Sequence, residues 1–205
     1  MSRRNKAVYV GLSVFLLMVV VWLDHTFGPR PTKSLSPDQI KSEDFAKYHN
    51  SGFRVIKVID GDTIDIDIPD GTFNSTRIRL LGVDTPETQN SHLGQMYFGP
   101  EATQFTKEHT AGKNIVVLLD KISPTRDKYK RLLAYVKLAD GKIFNKVLIT
   151  EGFAYADLRF KHSFYEQYSQ LETIARQNKK GLWREVKRDQ LPAWLQRMRP
   201  KLLNN

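Results

Sequence analysis

The stretch VIDGDTIDIDIPDG, residues 58–71, contains five aspartates in fourteen residues. A helix-loop-helix calcium loop needs a glycine at its sixth position and a glutamate at its twelfth, and alignments that start at Asp60, Asp62 or Asp65 fail this test. Isoleucine alternates with aspartate from residue 64 onward, which predicts a half-buried strand with Asp65 and Asp67 facing solvent. Asp60 and Asp62, which flank a glycine where this strand starts, remain as candidates for chemistry.

Two further segments are dense in charged residues. RIRLLGVDTPE, residues 77–87, ends a later strand with an acid and places a second acid on the following loop. Asp62 and Asp84 therefore come from different strands and can converge at one rim of a barrel, where carboxylates bind a hard cation. RDKYKRLLAYV, residues 126–136, adds arginine and lysine before another strand. A metal ion, a guanidinium and a spare carboxylate are the groups that phosphoryl chemistry requires.

The elements that position these residues follow from hydrophobic alternation and turn signals. Five strands are predicted at residues 53–59, 63–68, 76–83, 115–119 and 132–138. Pro100 and Gly112 delimit a helix between the third and fourth strands, and further helices follow the last strand. This order predicts an α+β fold, a five-stranded OB-fold Greek-key β-barrel with packed helices.

The N-terminal segment, residues 1–28, is typical of a signal anchor. Three basic residues precede an uncharged, mostly apolar run at residues 7–23, which as a helix spans about 25 Å. No cleavage site of small residues follows, so we expect an uncleaved transmembrane helix, with secretion after cleavage as the alternative. The basic flank predicts that the rest of the chain is extracytoplasmic.

Composition limits the remaining choices. The chain of 205 residues has no cysteine, so it contains no disulfide and no thiolate nucleophile or ligand. The formal net charge of +10 indicates an anionic partner, either nucleic acid or lipid headgroups.

We predict a linker at residues 29–52 with a short helix in it, one domain at 53–183 and a basic C-terminal tail at 184–205. The tail is expected to pack through its tryptophans, with a nucleic-acid or lipid contact as the alternative.

Four motifs carry a resemblance to a known family. They are IDGDT at 59–63, RLLGVDTPE at 79–87, FGPEA at 98–102 and DKYKRLLAY at 127–135. Together they resemble the staphylococcal nuclease (thermonuclease) family, in the family's order and spacing, over about residues 53–183. The resemblance implies an OB barrel with packed helices and calcium-dependent hydrolysis of DNA and RNA phosphodiesters with little base preference. The N-terminal segment would make this chain a membrane-anchored member.

The resemblance also implies a metal site and a base. Asp62 and Asp84 would bind Ca²⁺ through their carboxylates, and Thr85 would bind it through its backbone carbonyl. Glu87 would orient or deprotonate the attacking water. Asp60 is left open between a turn-forming acid and a metal ligand.

The same resemblance implies how the substrate is held. Arg79 and Arg131 would bind the phosphate and stabilise the charge that develops in the transition state. Lys128 and Tyr129 would contact a flanking phosphate, and Phe160 would stack on a base. Arg77 and Arg126 are left as solvated or phosphate-steering charges.

Two departures from the family pattern bear on activity. Lys130 stands where the family usually has glycine; if the backbone there has a positive φ, Lys130 is strained and could misplace Arg131. Leu158 replaces one of the two aromatic residues that stack the base, which predicts weaker base contacts.

Three functions remain to be distinguished. The leading hypothesis is a membrane-tethered, calcium-dependent nuclease, because the acids and arginines are all present together. The alternatives are a non-catalytic OB-fold module that binds nucleic acid and an adaptor that binds an anionic membrane through its basic tail. DNA, RNA and the membrane are the predicted partners, and no protein partner is predicted.

Overall fold

A computed structural model describes residues 15–22, 35–88 and 95–203. The chain divides into two compact units, Met1–Ser36 and Pro37–Asn205. In the first unit, residues 15–22 are helical, and the rest of the predicted anchor lies outside the described residues. Within the three described ranges, no helix combines the length and the apolar character needed to cross a membrane.

The second unit is built on a closed barrel. Its strands are β1 (Ser51–Val58), β2 (Thr63–Ile66), β3 (Thr76–Leu80), β5 (Asn114–Leu118) and β6 (Leu132–Lys137). They pair in the order β1-β2-β3-β6-β5, and β1 pairs with β5 to close the ring. All neighbours are antiparallel except β3 and β6, which are parallel. The predicted α+β fold with a five-stranded barrel is confirmed.

Short elements and helices surround this barrel. Strands β4 (Val83–Asp84) and β7 (Tyr155–Ala156) form a separate antiparallel pair. The helices are α1 (Pro37–Tyr48), α2 (Gly99–Thr110), α3 (Phe144–Thr150), α4 (Tyr165–Gln177) and α5 (Ala193–Met198), with 3-10 turns at Gly181–Arg184 and Arg188–Gln190. The helix predicted between Pro100 and Gly112 corresponds to α2.

The alternating strands bury one row of side chains inside the barrel. Ile64, Ile66 and Ile78 are fully buried there, as the period-two pattern predicts. The prediction that Asp65 faces solvent is wrong: its carboxylate is buried and forms a two-pronged ion pair with Arg77, at 2.8 and 3.0 Å. Asp65 and Arg77 are direct cross-strand partners in β2 and β3, so the long arginine side chain covers the acid. Asp67 is exposed, as predicted.

Helix α1 lies within the segment that the sequence suggests as a linker, and it packs on the barrel. Its last residue, Tyr48, is fully buried, and its hydroxyl is 3.0 Å from Thr76 Oγ1. Asp44 accepts a hydrogen bond from Thr125 Oγ1 at 2.6 Å and pairs with Arg126, which also contacts Asp70. Arg126 is therefore a structural residue that joins α1 to two loops, and the interpretation as a free surface charge is wrong.

A buried amide fixes the corner from which the strand-end acids emerge. Asn145, at the start of α3, accepts a hydrogen bond from Val136 N and donates one to Leu81 O, both at 3.0 Å. Because buried polar groups need partners, these bonds fix α3 against β6 and against the turn after β3. The position of β4 and the loop behind it depends on this contact.

Candidate active site at the strand ends

The tight turn between β1 and β2 holds Asp62 in a buried position. Asp60 Oδ1 accepts a hydrogen bond from Asp62 N at 3.0 Å, which gives Asp60 the role of a turn-forming acid. Asp62 Oδ2 accepts two bonds from Thr85, from the backbone N–H at 2.9 Å and from the hydroxyl at 3.1 Å. A Cβ at Gly61 would lie 2.7 Å from Thr85 Oγ1, so only glycine allows this approach of the turn to the β4 end.

Strands β3 and β4 bring one guanidinium between two carboxylates. Arg79 Nη2 is 2.6 Å from Asp84 Oδ1, while Nη1 lies against Asp62 Oδ2 as an ion pair without hydrogen-bond geometry. Burial alone would lower the pKa of Arg79, but the carboxylates raise it, so this side chain stays charged. Asp62, in the turn before β2, and Asp84, in β4, thus contact the same guanidinium. This is the convergence that the sequence predicted for the two acids.

Glu87 lies on the loop after β4, half-buried beside these charges. Burial raises the pKa of Glu87, the negative charges of Asp62 and Asp84 raise it further, and Arg79 and Arg131 oppose the shift. Glu87 is therefore close enough to both acids and both arginines for their charges to shift its pKa. Such a carboxylate, surrounded by charge and displaced from its ordinary pKa, is typical of a general base.

Burial also shifts the pKa values of two further acids at the site. Burial, followed by the charge of Asp62, raises the pKa of Asp60 to about 7. Burial also raises the pKa of Asp84. In the described part of the chain, no group of three or more acidic or histidine side chains is arranged so that it could hold a metal ion. The oxygen donors that do converge are the two carboxylates of Asp62 and Asp84, held beside Thr85.

Arg131 is presented by a turn that Asp127 organises. Asp127 Oδ1 accepts bonds from Tyr129 N and Arg131 N, both at 2.9 Å, and Asp127 Oδ2 is 2.7 Å from Arg131 Nε. Tyr129 is largely exposed, with Lys128 Nζ 4.9 Å from its ring centroid. Lys128 and Tyr129 are therefore exposed on the turn that carries Arg131.

Lys130 has a φ of 66°, in the left-handed region that favours glycine. We expect Lys130→Gly to raise the free energy of unfolding by about 1 kcal/mol, because the strain of a side chain at this φ exceeds the added flexibility of the unfolded chain. The measurement is urea denaturation, with Lys128→Gly as the control. Lys128 has no positive φ, so its replacement should lower stability by up to about 1 kcal/mol. A loss of stability in both variants would show that Lys130 is unstrained.

Arg131 is held in place despite the conformation of Lys130, because its backbone N–H and its Nε both donate to Asp127.

The segment after β7 supplies the surface predicted to contact a base. Phe160 exposes two thirds of its surface (66%), and Leu158 is half-buried against the barrel core. Phe160 can therefore stack on a base, while Leu158 is used for packing.

Two residues at the site were not predicted from the sequence. Arg159 Nη2 is 3.2 Å from Asp84 Oδ1, and Arg159 Nε is 2.8 Å from Asp157 Oδ1. Trp194 Nε1 donates to Asp84 Oδ2 at 2.8 Å. Neither belongs to the four motifs, and 110 residues separate Trp194 from its partner, so no local pattern could have indicated the contact.

Comparison with known proteins agrees with this geometry. Residues 77–185 match the family model described as staphylococcal nuclease homologue. A thermonuclease of Staphylococcus hyicus is 37% identical over 144 residues, which cover 70% of this chain and 82% of the relative. A thermonuclease of Staphylococcus intermedius is 34% identical over 190 residues, 92% of this chain and 98% of the relative. An uncharacterized endonuclease of Escherichia coli is 33% identical over 152 residues, covering 71% and 84%.

A closed barrel that brings two acids and a buried arginine together at its strand ends has groups suited to phosphodiester hydrolysis. The chain belongs to the staphylococcal nuclease family. It is a nuclease, and its substrate is nucleic acid.

Proposed function

We propose that this protein is a calcium-dependent nuclease that cuts both DNA and RNA with low sequence specificity. The observation that supports it best is the convergence of Asp62 and Asp84 on the guanidinium of Arg79; the charge of Arg79 also acts on Glu87. Low specificity is supported by the residues proposed to bind substrate: arginines that bind phosphate and the exposed ring of Phe160, which can stack on any base.

Asp62, Asp84 and the backbone carbonyl of Thr85 would hold the calcium ion. They fit it for two reasons: hard carboxylate and carbonyl oxygens are the ligands calcium prefers, and the two carboxylates already share one cationic partner. Burial is the main cause of the raised pKa values of Asp60 and Asp84, and the charge of Asp62 adds to both; a divalent cation bound there would favour the charged carboxylates. When bound, calcium supplies neutralisation of the phosphate charge in the transition state.

The other catalytic and binding roles belong to side chains of the protein. Glu87 accepts a proton from the attacking water or orients it, since it is half-buried and is not a proposed metal ligand, whereas Asp60 is a turn-forming acid. Arg79 and Arg131 donate hydrogen bonds to the phosphate oxygens and stabilise the charge that grows there. Lys128 and Tyr129 contact the next phosphate.

The test is cleavage of single-stranded DNA, duplex DNA and RNA by the purified full-length chain, with calcium and with a calcium chelator. We expect all three substrates to be cut with calcium and none with the chelator. Undiminished cleavage in chelator would refute the metal dependence, and cleavage of one nucleic acid alone would refute the broad substrate range.

We also propose that residues 1–28 tether the nuclease to a membrane with its catalytic domain on the extracytoplasmic side. The proposal is supported by the basic residues that precede the uncharged run at 7–23. Fractionation of expressing cells, with the mass of the recovered chain, separates the alternatives: a membrane-bound chain of 23.7 kDa is expected, and a shorter chain in the medium would mean secretion after cleavage.

A further inference from the structure

The C-terminal tail folds onto the domain. Leu191, Leu195 and Leu202 are buried in a cluster with Leu182 and Trp183. This tail follows the last residue, 185, of the matched family region. It therefore adds packing that the family region itself does not contain.

One ion pair links the tail to the strand pair beneath the active site. Arg199 binds Glu172 of α4, whose side chain is fully buried. The other oxygen of Glu172 accepts a hydrogen bond from Ala156 N at 2.9 Å. Ala156 lies in β7 opposite Val83 of β4, the residue before Asp84. The same carboxylate thus holds the tail and β7, the strand that pairs with the one carrying Asp84.

Trp194, in helix α5 of the tail, contacts the active site with both its edge and its face. Its indole N–H donates to Asp84 Oδ2 at 2.8 Å. Its ring lies 4.4 Å from the guanidinium carbon of Arg159, and Arg159 in turn contacts Asp84 Oδ1 at 3.2 Å. Oδ1 also contacts Arg79, at 2.6 Å. Each oxygen of Asp84 therefore has a partner that limits rotation of the carboxylate.

From these contacts we infer that Trp194 is a positioning residue for the calcium ligand Asp84. An indole N–H is a neutral donor, and a carboxylate oxygen has two lone pairs, so Oδ2 can accept this bond and still bind a cation. Hydrogen bonds from outside the ligand set commonly orient metal-binding carboxylates and raise metal affinity. The tail, through Trp194, sets the calcium affinity of this nuclease. The inference rests on the proposed calcium dependence.

The test compares Trp194→Phe with Trp183→Phe in the full-length chain. Trp194→Phe keeps an aromatic face over Arg159 but removes the donor. Trp183 Nε1 is buried without a hydrogen-bond partner, so Trp183→Phe changes a tail-cluster tryptophan without removing a bond to a ligand. The readouts are the calcium Kd by titration calorimetry, the melting temperature without calcium, and kcat against calcium concentration.

We expect Trp194→Phe to weaken calcium binding by about 10-fold to 100-fold, while Trp183→Phe leaves the Kd unchanged. The kcat of Trp194→Phe should recover at saturating calcium, because the reacting groups are intact. Equal calcium Kd values for wild type and Trp194→Phe would overturn the inference, and so would a kcat that stays low at saturating calcium. Wild-type protein that binds no calcium would instead refute the proposed function, and the inference with it.

Discussion

Replacing Glu87 with glutamine is expected to lower kcat for nucleic-acid cleavage by about 10²-fold to 10⁴-fold, the range associated with loss of a general base. Glutamine has nearly the same shape but accepts no proton. Burial and the charges of Asp62 and Asp84 raise the pKa of Glu87 towards that of a working base. The effect should appear in kcat, because Glu87 is not one of the residues proposed to hold the phosphate.

The measurement is the initial rate at saturating calcium and substrate. Glu101→Gln is the matched control, since Glu101 is an exposed acid in the first turn of α2. It should cleave at the wild-type rate. If Glu87→Gln cleaves as fast as this control, Glu87 takes no part in the reaction.

Replacing Tyr48 with alanine is expected to lower the free energy of unfolding by about 3–5 kcal/mol, the usual cost of removing a buried aromatic ring. The ring is fully buried at the end of α1 and contacts the barrel core. The Arg126 guanidinium carbon lies 5.6 Å from the ring centroid, so the change also loosens the ion pairs between α1 and the barrel.

Urea denaturation checks this prediction, and Tyr48→Phe is its control. Phenylalanine keeps the ring and removes only the hydroxyl, which should cost about 1 kcal/mol. Thr76 Oγ1 retains its bond to Ile68 O at 2.8 Å in either variant. If alanine costs no more than phenylalanine, α1 contributes little to the stability of the barrel.

The strands and most helices could be predicted because their signals are local. Isoleucine alternation around residues 64–66 and the Pro100 to Gly112 limits of α2 depend on neighbours a few residues away. The convergence of Asp62 and Asp84 also follows once strand ends are assigned to one rim, whereas Arg79 is expected at the site only from the family resemblance.

The remaining contacts depend on pairings that only the folded barrel creates. Burial of Asp65 requires Arg77 on the adjacent strand, and the structural role of Arg126 requires Asp44, 82 residues away. Alternation predicts which face a side chain occupies, but it does not predict whether a long cation covers that face. Trp194 is the extreme case, because it belongs to none of the four motifs and lies 110 residues from Asp84.

The parallel pairing of β3 with β6 also determines when the barrel can close during synthesis of the chain. Ile78 pairs with Leu132 and Arg79 with Leu133. The barrel therefore cannot close until β6 has been synthesised and has paired with β3. Pairings this distant in sequence make folding slow, typically in the range of milliseconds to seconds. Arg79 lies on β3 and Arg131 immediately precedes β6, so ring closure itself brings the two arginines together. In an incomplete chain that lacks β6, the phosphate site that we propose for these two arginines would therefore not be assembled.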